Sequence, residues 1–260
     1  MSETEIFSDL LCDHALERGA GDGDSLREET FGKIKIERLA VRSEEYRKAL
    51  NAEAGNYVSL HFGDICTLDP LGEDELISSL ARELVGFYPH GAERLLVAGI
   101  GNAELVADSV GYRTVKELND CGGRLCRFHT GVFEGTGIES ADLIRAIAEE
   151  VGAGAVIAVD SVVTRSFERL SRTAQLSDSG LSPGRGLGAV KKRVDERSVA
   201  RPVISIGVPT VIDVRSLPMA NERGETLLGR ERLFLTSHSV DVAVRRFAYV
   251  LSRAIEKSLV

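Results

Sequence analysis

The chain has 260 residues, 43% of them hydrophobic, enough for one large core, and neither disorder nor a fibrous repeat fits that composition. A formal net charge of -8 argues against a protein that grips nucleic acid through its phosphates, and the basic cluster Lys191-Lys192-Arg193 reads as a solvated loop. No apolar run approaches the ~20 residues of a transmembrane helix, and Met1-Ser2-Glu3-Thr4-Glu5 is acidic where a signal peptide is basic, so the expectation is a cytoplasmic protein without membrane or direct nucleic-acid partners.

In chain order, residues 1–30 read as a mobile N-terminal arm, loosest at Gly19-Ala20-Gly21-Asp22-Gly23-Asp24, and the whole of 1–260 as a single α/β domain. Lys33 to Leu39 alternates polar and apolar residues like a half-exposed strand, with Asn56 to Phe62 as its partner. Glu73-Asp74-Glu75 opens a helix carrying Leu76, Ile77, Leu80, Leu84 and Val85 on one face. Arg94 to Ala98 is a buried parallel strand, followed by the turn Gly99-Ile100-Gly101-Asn102 and a helix from Leu105 to Leu118 that Gly111 weakens. Thr136 and Glu139 have capping-box spacing before a helix with Leu143, Ile144, Ile147 and Val151 inward. Ala155 to Val159 and Pro202 to Gly207 are further buried strands, separated by a glycine-rich loop from Ser177 to Gly188. The final helix presents Val240, Val244, Phe247, Leu251 and Ile255. Strands alternating with helices predict a three-layer α/β/α architecture around a mostly parallel sheet.

Chemistry concentrates on two aspartates. Asp108 lies just beyond the first buried strand and its turn, and Asp160 ends the run Ala155 to Val159. In open α/β sheets the ligand crevice lies outside the carboxyl ends of the strands, where two such acids can face one another. A nucleotide site does not fit: Gly99-Ile100-Gly101 lacks the third glycine of the dinucleotide fingerprint, having Glu104 there, and no P-loop order occurs. None of the five histidines lies in a GxSxG or HExxH motif. Cys12, Cys66, Cys121 and Cys126 contain no CxxC pair and read as reduced structural thiols, so neither metal nor cofactor is expected. On local grounds alone, Asp108 reads equally well as a helix-terminus acid and Asp160 as the cap of a strand-to-helix turn with Ser161. Arg165, Glu168 and Arg169 read as an ion-pair network beside Asp160, and Asp178 and Asp213 as turn acids or lining of the cleft.

Six segments carry a resemblance: Gly99-Ile100-Gly101-Asn102, Asp108-Ser109-Val110-Gly111, Gly135 to Asp142, Ile157 to Arg169, Gln175 to Gly184, and Ile206 to Asp213. In this order they are similar to stretches of the germination protease (spore protease) family, from about Gly55 to Asp213 and again near Leu233. The resemblance implies a fold like that of the hydrogenase-maturation proteases. It also implies an endopeptidase with Asp108 and Asp160 as its catalytic pair, and small acid-soluble spore proteins, degraded at germination in the spore core, as substrate. Gly101, Asn102, Gly184 and Gly186 are the candidate oxyanion or substrate-binding positions, together with Arg165 and Asp178. The resemblance further implies a homo-oligomer, dimer or tetramer, and a zymogen. Thr4 to Leu10 looks like the sequence these proteases cut, making Glu5-Ile6 a candidate self-cleavage bond. Two rival readings stand beside this one: a metal-dependent maturation-type endopeptidase using His129 or His238, and a non-catalytic binding or assembly protein.

Overall fold

The computed structural model describes residues 10–11, 25–119, 121–184, 191–214 and 233–260. Its strands in chain order are β1 (Ser25–Phe31), β2 (Ile34–Val41), β3 (Gly55–His61), β4 (Leu95–Gly99) and β5 (Leu125–His129). They continue with β6 (Ala155–Thr164), β7 (Thr173–Ser177), β8 (Val203–Asp213) and β9 (Phe234–Thr236). All belong to one sheet, ordered β1-β2-β3-β7-β8-β6-β4-β5, with β9 paired to β8. The four strands β5-β4-β6-β8 are parallel; sequence patterning predicts β4, β6 and β8 as buried strands but not β5. The remaining pairings are antiparallel, so the sheet as a whole is mixed. For β1 and β2 connection length decides: Gly32-Lys33, with Gly32 at φ +57°, joins them in a turn too short for a parallel crossover.

Side chains alternate across each strand, and both faces are covered. On one face Val97, Ile157, Val159, Ile204 and Ile206 meet three helices: α2 (Pro70–Phe87), α3 (Val110–Glu117) and α7 (Val240–Lys257). On the other, Leu96, Ala98, Val156 and Ala158 meet α5 (Ser140–Glu150) and α6 (Glu196–Val199). There too α1 (Glu44–Leu50) sets Tyr46 and Leu50 on Leu39, Val41 and Tyr57. The short helix α4 (Phe133–Thr136) leads into α5. Local chemistry explains the long helices: Asp69 accepts from Gly72 N–H at 2.7 Å, Pro70 begins α2, and Leu76, Ile77, Leu80 and Leu84 are buried. Val85 faces solvent instead, and in α7 the predicted Val244, Phe247, Leu251 and Ile255 are all buried.

Several expectations change. Of the arm expected over 1–30, residues 25–30 belong to β1 and Leu10 and Leu11 are buried, while the remainder lies outside the described residues. Leu10 packs on Val162, and Leu11 joins the cluster around Tyr46 and donates its N–H to Gln175 Oε1 at 2.8 Å. Glu5 and Ile6 lie outside the described residues. The helix expected from Leu105 is a single 3-10 turn, Val106–Asp108, followed by α3. Thr136 ends α4, its hydroxyl donating to the Val132 and Ile138 carbonyls, and Glu139 stands at the N-cap of α5 without a side-chain cap bond. β6 runs on through Asp160 to Thr164, so Asp160 sits within a strand and caps no helix.

Gly111 has a positive role in the fold. A Cβ there would overlap the carbonyl oxygens of Ile100 and Val159, and one on Gly99 would overlap the Gly111 carbonyl. The first turn of α3 therefore rests directly on the ends of β4 and β6, an approach that only glycine allows. Gly111→Ala is expected to destabilise the protein by about 1–3 kcal/mol through overpacking, read as a lower urea midpoint. An unchanged midpoint would show that α3 can move away without cost.

Candidate active site

The site is built where β4 stops. Gly99 lies opposite Val159 of β6, and β4 then turns away through Ile100, whose N–H still reaches the Val159 carbonyl at 2.8 Å. Asp160 is the next residue of β6, paired with Gly207 of β8 and only 5% exposed. From this point the edge of β6 has lost its β4 neighbour, and the turn Ile100-Gly101-Asn102 comes round beside it. Gly101, at φ +105°, fits because a Cβ would overlap the Asp108 carbonyl oxygen. Asn102 N–H donates to Asp108 Oδ2 at 2.7 Å, and Asp108 N–H closes the 3-10 turn on the Leu105 carbonyl at 2.8 Å. His129, at the end of β5, places Nε2 3.1 Å from the Gly101 carbonyl and packs edge-on against Tyr112.

Asp108 and Asp160 line one cavity of about 450 Å³, whose wall is mainly apolar and includes Ile100, Leu105, Val132, Val163 and Phe234. Burial pushes the Asp108 carboxyl up to about 6, the Asn102 N–H and Lys191 pull it down, and Glu134 adds a smaller push upward. Desolvation wins, leaving a carboxyl able to hold a proton near neutral pH. Lys191 also lines the cavity and forms an ion pair with Glu134 at 3.3 Å.

The basic cluster is thus not a merely solvated loop. Lys192 pairs with Asp142, and Arg193 donates to the Ser179 and Gly180 carbonyls at 2.7 and 3.2 Å and to Ser182 Oγ at 3.1 Å. Together they tie this segment to α5 and to the chain beyond β7. Lys191 was missed in the sequence because charge alone does not reveal a tertiary anchor.

The other candidate residues divide. Gly101 and Gly184 line the cavity, and Asn102 holds Asp108. Asp178 is elsewhere, accepting from Asn56 N–H at 2.7 Å and Asn56 Nδ2 at 2.6 Å, so it ties the end of β7 to β3 and does not line this cavity. Arg165 directly follows β6 and is not part of the cavity wall. Asp213 is buried at the end of β8, also away from that wall. Gly186 lies outside the described residues. Among the described residues no three His, Cys, Asp or Glu side chains gather as metal ligands would, and His238 is exposed before α7.

A sequence profile described as germination protease matches residues 13–221. The chain belongs to the germination protease family. It is therefore related to peptidases. A germination protease of Clostridium tetani (strain Massachusetts / E88) is 31% identical over 218 residues, which cover 77% of this chain and 68% of that protein. One from Priestia megaterium (strain ATCC 12872 / QMB1551) is 32% identical over 203 residues, covering 71% and 54%. Among solved structures, a nickel-iron hydrogenase maturation protease from Thermococcus kodakarensis KOD1 aligns with 66% of this chain and 98% of its own, at 16% identity and a TM-score of 0.42.

The raised carboxyl makes stability depend on pH. An unfolded aspartate titrates near 3.9, whereas Asp108 in the folded protein titrates at about 6. Its favourable contribution is complete below about pH 4 and is lost as pH rises through 6. Asp108→Asn keeps an acceptor for Asn102 N–H but carries no charge. It is expected to be more stable than the parent by on the order of 1–3 kcal/mol at pH 8, the difference vanishing toward pH 4 in thermal denaturation. A variant no more stable than the parent at pH 8 would contradict a half-buried, proton-holding Asp108.

Proposed function

We propose that this protein is an endopeptidase that cleaves small acid-soluble spore proteins at germination, with Asp108 and Asp160 as its acid–base pair. The observation that carries this reading is the convergence of both aspartates, Asp108 from the 3-10 turn after β4 and Asp160 from within the adjacent parallel strand β6, on one mainly apolar cavity. Two carboxyls in such surroundings do not both ionise readily, so the pair retains a proton. Asp108, raised to about 6, is assigned as the acid and Asp160 as the base.

In the first step Asp160 takes a proton from a water molecule as its oxygen bonds to the scissile carbonyl carbon. The carbonyl π electrons move to oxygen, to which the Asp108 O–H donates a hydrogen bond. Collapse of the tetrahedral intermediate re-forms the carbonyl and breaks the C–N bond, while a proton passes from the carboxyl pair to the leaving nitrogen. The products are a new carboxyl terminus and a new amine. Apolar side chains around the cavity keep the effective dielectric low and strengthen each of these interactions.

The test is incubation of the purified protein with small acid-soluble spore proteins, followed by mass spectrometry of the fragments. Asp108→Asn and Asp160→Asn are each expected to lower kcat by ~100-fold or more while circular dichroism remains unchanged. Near-parental turnover in either folded variant would remove that residue from the pair. Activity is expected to fall as pH rises above about 6, because Asp108 loses the proton it must donate. Activity lost to a chelator and restored by one specific metal would favour the metal-dependent alternative.

A further inference from the structure

The cavity shared by Asp108 and Asp160 has a mainly apolar wall, and among the described residues of that wall Lys191 brings the only positive charge. Lysine is seldom buried without a strong partner, yet the Lys191 side chain is only 20% exposed. Its partner Glu134 is 69% exposed, and both Glu134 oxygens lie 3.3 Å from Nζ, longer than the ~2.7–2.9 Å of a tight charge-assisted hydrogen bond. A pair with one member in water contributes little, and an ammonium has three donors, so Glu134 does not exhaust Lys191.

The neighbouring chain fixes where this ammonium stands. Lys192 N–H donates to Glu139 Oε2 at 3.2 Å, Lys192 Nζ pairs with Asp142, and Arg193 donates to the Ser179 and Gly180 carbonyls. The two residues after Lys191 are therefore fastened to α5 and to the chain beyond β7. Lys191 also stands near enough to Asp108 for its charge to favour the ionised carboxyl there. The ammonium thus belongs to the same space as the reacting groups.

We propose that Lys191 determines specificity, its ammonium binding the carboxylate of a glutamate or aspartate immediately beside the scissile bond and so selecting where a chain is cut. This assignment deepens the peptidase reading and rests on it. A cavity of about 450 Å³ holds few residues, so a side chain that reaches Lys191 while the peptide carbonyl lies at the aspartates comes from a residue next to that bond. A carboxylate is the fitting group because Lys191 repels a cation, while an apolar or amide side chain leaves its charge unmatched. Inside apolar walls the attraction exceeds that of the exposed Glu134, which returns to water when displaced.

The test uses peptides capped at both ends, so that side chains offer the only carboxylates, and copied from the sequence around each bond cut in small acid-soluble spore protein. Every cut bond is expected to have glutamate or aspartate beside it, and replacing that acid by its amide is expected to lower kcat/KM by ~10–100-fold in the parent. Lys191→Met is expected to cut the acid and amide peptides with equal kcat/KM, and Lys191→Arg to retain the preference. Lys191→Glu is expected to prefer a peptide with lysine at that position. Any change that Lys191→Met causes in the Asp108 proton acts on both peptides alike, so their ratio reads the substrate contact alone. Cut bonds without a neighbouring acid, or an undiminished ratio in folded Lys191→Met, would overturn the assignment while leaving the dyad intact. A parent protein that cuts neither the spore protein nor the peptides would overturn the peptidase reading, and this assignment with it.

Discussion

The contact between Gly111 and the ends of β4 and β6 sets the geometry on which the site depends. Because neither Gly99 nor Gly111 carries a Cβ, the start of α3 lies on the backbone carbonyls of Ile100 and Val159. Asp108 precedes Gly111 by three residues, so the depth at which α3 settles also fixes how far the 3-10 turn reaches over the mouth of the sheet. A side chain at either glycine would push the helix outward and carry the carboxyl with it. Packing and chemistry are therefore one constraint here.

That placement leaves Asp108 short of solvent but not short of polar contact. One backbone N–H and the neighbouring Lys191 favour its charged form, and they do not offset the loss of water. A carboxyl balanced in this way changes protonation near neutral pH, the range in which an acid–base group is useful. Asp160 is buried within β6, and its strand partner is Gly207 of β8. The strand β6 thus provides one acid, while the turn after β4 provides the other.

The rest of the molecule supports this arrangement at some distance. Lys192 and Arg193 fasten the segment that brings Lys191 to the cavity, and Asp178 fastens β7 to β3 through Asn56. Leu10 packs on Val162, two residues beyond Asp160 in β6. A second cavity, bounded by Leu10, Leu11 and Gln175, reaches Asp160 from that side. Asp160 is consequently a wall between two cavities, with the chain's early residues along one of them.

Much of the core was legible in the amino-acid order because its periodicity is local. The runs at 95–99 and 155–159, the β2–β3 pairing and the buried stripe of α7 follow from burial on one or both faces, which leaves a pattern in neighbouring residues. The two aspartates stood out for a related reason: acids placed at the ends of continuous apolar runs mark the mouth of a parallel sheet. Other features depend on residues far apart in sequence and have no local signature. The antiparallel half of the sheet depends on β7 joining β3, the role of Lys191 on its approach to Glu134, and the engagement of Asp178 on Asn56. A bulge at Thr210 exists only in the pairing of β8 with β6, although Pro209 hints at an interruption. Sequence alone determined the apolar runs of β4, β6 and β8 and the two acids that follow the first two of them. Tertiary structure decided which side chains share the cavity, because a shared cavity is a relation between strands and helices that the order of residues does not encode locally.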